Sequence, residues 1–303
     1  MGTKFENLLK EVAACEKKII AVAAAQDSAV LEAVAGAKRE GIADAVLFGD
    51  KKEIEEAAKS VDINLDEFRI IDIADKKEAA LAAVKMVHDK KADMYMKGII
   101  DTKTVLQCVL DKEIGLRTGK LLSHVGVFEV KGMERLLFIT DAAFNIAPNL
   151  EEKRGILENA VTVARACGIE MPKVCPLAAV EVYNPKMQAT VDGAELTRMN
   201  EEGIIKDCIV DGPLALDLAI SREAAEHKGT TDRKIVGDAD ILLVPTIEVG
   251  NVLYKAFGHI AESESGALLV GTAAPVVLTS RSDSYQTKVH SIALAAIVAE
   301  KMK

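Results

Sequence analysis

The chain has 303 residues, half of them hydrophobic and 28% charged, and carries a formal net charge of −9 at pH 7. This length accommodates two domains of ordinary size or one large one, and the composition is globular rather than disordered. The acidic balance, with no Lys/Arg block, excludes nucleic acid as the main partner, because backbone phosphates need a clustered basic face.

At the N-terminus, MGTKFENLLKEVAACEKK is amphipathic and lacks a signal-type apolar core; Glu6 stands where myristoylation needs Ser or Thr. Next, KIIAVAAA (18–25) is a short apolar run, followed by the helical spacing of SAVLEAVAGAKREG. The same alternation continues through DAVLFGD (44–50), KKEIEEAAKS, FRIIDIA (68–74), KKEAALAAVKMVHDKK and ADMYMKG (92–98). Apolar runs of this length between helices are the pattern of strands covered on both faces, so this half reads as βαβαβαβ with a parallel sheet.

SHVGVFEV and RLLFITD then form a hairpin across Lys131-Gly132. In NLEEKRGILENAVTVARACG, helical spacing puts Leu157, Ala160, Val161, Ala164 and Cys167 on one face, with Gly168 placed to stop the helix. KVCPLAAV, DCIVDG, DADILLVP, GALLVG and APVVLTS are further strand candidates. In the terminal helix Val289, Ile292, Ala293, Ala296 and Ile297 share a face. With no repeat and no proline-rich linker, the expectation is two α/β lobes around a cleft with mainly parallel sheets, the cleft being the default ligand site.

The five cysteines, Cys15, Cys108, Cys167, Cys175 and Cys208, are scattered and contain no CxxC, which points to free thiols and a cytoplasmic setting. No apolar stretch reaches transmembrane length without a charge or turn, so no membrane is expected. No GxGxxG follows the first strand. GLRTGKLL (115–122) is one residue short of a P-loop and has Leu121 where Ser or Thr is required. No histidine pair has metal-ligand spacing, and no metal is expected.

What remains is a set of turns at strand ends. MKGIIDT carries Lys97 and Gly98; GLRTGKLLSH carries Arg117, Lys120, Ser123 and His124; ITDAAFNIAP runs from Asp141 to Asn145. VDGPLALD holds Asp211-Gly212, and PTIEVGNVLYK places Gly250-Asn251 before a helix holding Lys255. In open α/β sheets ligands bind beyond the carboxyl ends of the strands, but Asp, Asn and Gly are also what turns and caps use. LTSRSDSYQTK (278–288) poses the same choice. Ser280-x-x-Asp283 has capping-box spacing, which leaves Arg281 without a purpose; a helix N-terminus beside an arginine suits phosphate or a developing oxyanion.

KADMYMKGIIDT, KEIGLRTGKLLSHVGVFE, VCPLAAVEVYNPKM, DGPLALDLAIS, IEVGNVLYK and GTAAPVVLTSRSDSYQTK resemble, in order, motifs of the phosphate acetyl/butyryltransferase family, in its branch for longer acyl chains. The resemblance runs from about Ala21 to the C-terminus. It implies reversible transfer of a butyryl-type acyl group between coenzyme A and inorganic phosphate, with both as substrates and no cofactor. It also implies the phosphate acetyltransferase fold, related to isocitrate dehydrogenase-like enzymes, and a homo-oligomer. The first lobe would be discontinuous, 1–120 plus 270–303, with 121–269 as the second.

By the same resemblance, Ser280 and Arg281 match a Ser-Arg pair that lies by the thiol and phosphate in the acetyltransferase branch. The aspartate acting there as base for the thiol is Thr287 here, so that role does not transfer, and Asp283 is the nearest candidate. An arginine of that branch matches Gln107, with Arg117 a possible replacement for its charge, and a cysteine of that branch is Ala142 here. Lys97, Gly98, Arg117, Ser123, His124, Asp141, Asn145, Gly250, Asn251, Lys255 and Thr272 are the substrate-binding candidates. A phosphate acetyltransferase is the alternative enzyme, and a non-catalytic acyl-CoA or phosphate-binding protein is the other reading.

Overall fold

The structure, a computed structural model, describes residues 4–280 and 283–302. The chain divides into two compact α/β units, one made of Phe5–Lys120 with Ser265–Lys303 and the other of Leu121–Glu264 with Lys4.

The discontinuous unit begins with α1 (Phe5–Ala14) and β1 (Lys18–Ala23), followed by α2 (Ser28–Arg39), β2 (Ala43–Gly49) and α3 (Lys51–Lys59). Then come β3 (Arg69–Asp72), α4 (Lys76–His88), β4 (Met94–Lys97) and α5 (Thr102–Val109). β1 lies between β2 and β4, and β3 lies outside β2, all parallel. β1, β2 and β4 are buried along nearly their whole length, as the apolar runs require of strands covered on both faces. Each of the four strands exits through an aspartate that caps the next helix: Asp27, Asp50, Asp75 and Asp101 accept from N–H groups of the first turn.

The contiguous unit holds β5 (Ser123–Val130), β6 (Leu136–Thr140), α6 (Leu150–Ala166), β7 (Lys173–Pro176), α7 (Gln188–Glu201) and β8 (Ile209–Val210). α8 (Leu216–Ile220), α9 (Arg222–His227), β9 (Ile241–Leu243) and α10 (Ile247–His259) complete it. β5 and β6 form the expected antiparallel hairpin, turning at Gly132 with φ +89°. β6, β9, β7 and β8 then run parallel in that order. Phe128, Leu137, Ile139, Leu218 and Leu242 form its core. α6 opens with a full capping box, Asn149 and Glu152 each accepting the other's backbone N–H, and Gly168 follows its end at φ +89°. A buried Lys153–Asp192 ion pair at 2.5 Å ties α6 to α7.

The chain returns to the discontinuous unit through β10 (Ser263–Val270), β11 (Val276–Val277) and α11 (Tyr285–Lys301). β11 pairs parallel to β4 and antiparallel to β10. The sequence gives α11 one apolar face, whereas residues 288–299 are buried without interruption, Lys288, His290 and Ser291 included. The helix packs between the sheet, α1 and α2. Phe5 of α1 stacks on His290 at 3.9 Å, and Tyr285 fills the space left by Gly36 of α2, where a Cβ would fall 2.0 Å from the phenol oxygen. Ser291 donates to the Thr287 carbonyl and accepts from the Ala267 N–H, so its burial leaves no polar deficit.

Candidate functional site

In the discontinuous unit, the carboxyl ends of β1, β4 and β11 lie at one sheet edge, because Ala23 pairs with Lys97 and Met96 with Val277. After β4 the chain crosses closely over β1: Gly98 donates to the Ala23 carbonyl at 2.8 Å and Ile99 to that of Ala24 at 2.9 Å. A Cβ on Gly98 would lie 2.2 Å from the Ala24 oxygen, so only glycine fits without moving backbone. Ala24 itself has φ +49°. Lys97 is half-buried at this edge and reaches the Gly98 carbonyl at 3.5 Å.

β11 exits at the same edge into the 278–284 segment. Arg281 and Ser282 lie outside the described residues, so the candidate arginine has no structural description. The residues around it correct the capping-box expectation. The Asp283 carboxylate accepts the Ser280 N–H at 2.6 Å, and the Ser280 carbonyl accepts the Asp283 N–H at 3.2 Å. That is a turn ahead of the helix, and the cap is Ser284, whose side chain accepts the Thr287 N–H at 3.1 Å. Thr287 hydrogen-bonds Ser284 at 3.0 Å and Ser265 at 3.3 Å. A feature that the sequence reading missed lies one residue on: Lys288 is only 2% exposed, and its ammonium donates to the Asp283 carbonyl.

Arg117 and Thr272 are not brought to this edge. They form an antiparallel bridge supported by Thr118 Oγ1 donating to the Gly271 carbonyl at 2.6 Å. Since Leu269 pairs with Val276, Thr272 sits in the turn before β11, at the opposite edge from Gly98 and Ser280. The Thr272 hydroxyl is bound within that turn to the Ala274 carbonyl at 2.7 Å.

In the contiguous unit, Asp141 follows β6 and opposes His124 near the start of β5; both candidates at the head of β5, Ser123 and His124, are strand residues rather than loop residues. The Asp141 carboxylate accepts four donors: the N–H groups of Ala143 at 2.8 Å, Phe144 at 3.0 Å and His124 at 3.3 Å, and Asn145 Nδ2 at 2.6 Å. Asn145 Nδ2 also donates to the Leu122 carbonyl at 2.9 Å. Asp141 and Asn145 thus clasp the β6 exit to the head of β5. Ser123 is fully buried and accepts from Asn159 Nδ2 at 2.9 Å, which fixes it to α6.

The sequence places Gly250 and Asn251 before a helix, but α10 already starts at Ile247, so both lie within its first two turns. Gly250 lets the helix approach the β6 exit: a Cβ there would be 2.4 Å from the Asp141 carbonyl oxygen. Asn251 donates to the Ala142 carbonyl at 3.3 Å, and Lys255 is exposed one turn later. Tyr254 of α10 meets the His124 ring edge-on at 5.4 Å and the Phe128 ring at 5.1 Å. A groove of about 880 Å³ lies at the exits of β6, β7 and β9, lined by Ala147, Lys153, Tyr183, Gln188, Asp192 and Thr246 among others. None of the substrate-binding or catalytic candidates lines it, although Ala147, Tyr183 and Thr246 belong to the motifs quoted from the sequence.

Three of the thiols are ill-suited to nucleophilic attack. Burial pushes Cys208 up to about 12, raises Cys175 further and raises Cys108 as well, so these stay protonated at neutral pH. Ala142 is itself buried beneath α10. Among the described residues, no helix is long and apolar enough to cross a membrane.

The two units are both of the α/β class, with Lys97, Gly98, Asp141 and Ser280 at strand exits. The chain belongs to the phosphate acetyl/butaryl transferase family, whose model matches residues 4–80 and 76–296. It is 54% identical over 303 residues to a phosphate butyryltransferase of Clostridium beijerinckii, covering the whole of both chains. It is 44% identical over 295 residues to a phosphate acetyltransferase of Thermotoga maritima, covering 97% of this chain and all of that one. A crystal structure of a branched-chain phosphotransacylase from Enterococcus faecalis superposes with a TM-score of 0.84 at 36% identity, covering 93% of this chain and 99% of the other.

Proposed function

We propose that this protein is an acyltransferase that moves a butyryl-type short acyl group between coenzyme A and inorganic phosphate, giving acyl phosphate and free coenzyme A. The carrying observation is the full-length 54% identity to a phosphate butyryltransferase, against 44% to a phosphate acetyltransferase. A cytoplasmic setting accords with the five free cysteines.

In the chemistry proposed, a phosphate oxygen attacks the thioester carbonyl carbon, the carbonyl oxygen takes up negative charge, and the C–S bond then breaks. In this reading the Arg281 side chain stabilises the oxyanion, and Lys97 adds positive charge at the sheet edge where β4 and β11 end. The proton that the attacking phosphate gives up ends on the leaving thiolate, and the carboxyl that takes the thiol proton in the reverse direction returns it in this one. In the reverse direction Asp283 is the candidate base. Its Oδ2 accepts the Ser280 N–H, and Oδ1 is the proposed acceptor of the thiol proton. Both substrates are held together and transfer is direct, in keeping with the burial of Cys175 and Cys208 and with Ala142.

The deciding measurement is CoA release from butyryl-CoA with and without phosphate, repeated with acetyl-CoA and a branched acyl-CoA. Phosphate-dependent release with the highest kcat/KM for butyryl-CoA is expected. A higher value for acetyl-CoA would move the protein to the acetyltransferase activity, and no phosphate dependence would remove the acyltransferase reading.

A further inference from the structure

The groove at the exits of β6, β7 and β9 is lined wholly by the contiguous unit. Ala147, Pro148 and Leu150 line it at the start of α6, and Ala189, Val191 and Ala194 line it along α7. Tyr183, also in the lining, is 61% exposed; Ile146 and Val182, each next in the chain to a lining residue, are 68% and 63% exposed. Apolar surface gathered in a concavity at the carboxyl ends of parallel strands is the common form of a small-molecule site.

The polar part of the lining decides what class of molecule fits. Lys153 and Asp192 are both buried, and the Lys153 ammonium donates to Asp192 Oδ2 at 2.5 Å. Asp192 Oδ1 accepts from Gln188 Nε2 at 2.8 Å, so both carboxylate oxygens are engaged. An ammonium has three N–H donors, and Asp192 is its one hydrogen-bond acceptor among the described residues, which leaves donors for a ligand. The charges of the lining cancel, because Lys153 pairs with Asp192 and Arg198 with Glu195. An incoming anion would find no unbalanced cation to offset its desolvation. A neutral carbonyl oxygen accepts from Lys153 without adding charge.

We propose that this groove binds a neutral, amide-bearing aliphatic chain, with an amide carbonyl accepting from Lys153 and the carbon links lying against Leu150, Val191 and Ala194. A pantetheine arm has this chemistry, two amides separated by short aliphatic links. Its identity as the arm of coenzyme A rests on the acyltransferase reading above.

Pantetheine itself is the probe, measured by equilibrium dialysis and saturation-transfer NMR under reducing conditions. Pantothenol and pantothenate share one amide and one carbon skeleton but end in a hydroxyl and a carboxylate, and pantothenate should bind about tenfold more weakly or worse. Ala189→Leu and Ala194→Leu fill the groove from helix positions that leucine suits. Each should weaken pantetheine binding and raise KM for butyryl-CoA by about tenfold or more, with KM for phosphate within about threefold of wild type. Lys153→Met combined with Asp192→Leu removes the donor without leaving a buried charge, and should weaken pantetheine to a similar degree in protein that circular dichroism shows to be folded. Unaltered pantetheine binding in the filled variants, or pantothenate binding as tightly as pantothenol, would overturn the proposal. Lost pantetheine binding with an unchanged KM for butyryl-CoA would overturn the assignment to coenzyme A. Pantetheine binding that the filled variants lose, in a wild type that releases no CoA, would support the groove and sink only the acyltransferase reading.

Discussion

Ser284 accepts the Thr287 N–H at the mouth of α11, while Ser280 sits in the turn before it, so the two serines answer different questions. Ser284→Ala should cost about 1 kcal/mol of folding stability, measured by chemical denaturation, as loss of a helix cap does. Arg281→Ala should instead lower kcat/KM by about a hundredfold, near 3 kcal/mol of transition-state stabilisation, with Tm almost unchanged. A fall of several degrees in Tm with near-normal kcat would make that arginine structural. Asp240 gives a test in pH. It lies before β9, and burial raises its carboxyl above the usual range although it accepts the Lys173 N–H at 2.8 Å. A raised folded-state pKa means that its contribution is fully present below the unfolded carboxylate pKa and is lost as pH rises through the folded value. Asp240→Asn keeps an acceptor and removes the ionisation, so it should gain stability relative to wild type at pH 8 compared with pH 4, read from urea midpoints.

At the scale of elements, two close approaches position the strand exits. Gly98 lets the chain after β4 lie on β1, and Gly250 lets α10 lie on the β6 exit, each with a carbonyl oxygen within 2.4 Å of where a Cβ would stand. The obstacles are backbone atoms and cannot swing away. Gly98→Ala and Gly250→Ala should each cost about 1–3 kcal/mol and reduce kcat together with stability. α11 is the other element with a clear consequence. Its central residues are buried between the sheet, α1 and α2, so ending the chain after Ser280 would expose the apolar surfaces it covers. Such a truncation should abolish cooperative unfolding of the discontinuous unit, seen as loss of its thermal transition. The Lys153–Asp192 pair joins α6 to α7 in the same decisive way. Lys153→Met leaves a buried carboxylate with, among the described residues, Gln188 Nε2 as its remaining side-chain partner, and a loss of about 3–5 kcal/mol is expected in urea titrations.

For the whole molecule, direct transfer requires acyl-CoA and phosphate to be present together. Initial-velocity lines at several fixed phosphate concentrations should therefore intersect. Parallel lines with a trapped acyl-protein adduct would show a covalent intermediate, against the buried and protonated state of Cys108, Cys175 and Cys208.

The α/β alternation, the β5–β6 hairpin and the glycine stop after α6 were legible along the chain, because apolar period and turn residues act over only a few positions. Family membership was legible for a related reason: the six motifs hold the strand exits in a fixed order, and order survives in sequence. Neighbours from distant segments were not legible. Only the tertiary structure revealed that α11 is covered on all sides, because its charged and polar residues find partners in β10, α1 and the turn before it. Only register separated Arg117 and Thr272 from the edge that carries Gly98 and Ser280. Ser280 and Ser284 have equal capping propensity in a string of letters, and the choice fell to Ser284 because the Asp283 carboxylate closes a turn on the Ser280 N–H first. Lys288 reads as an ordinary surface lysine until its surroundings are known, since burial belongs to the packed fold and not to the residue.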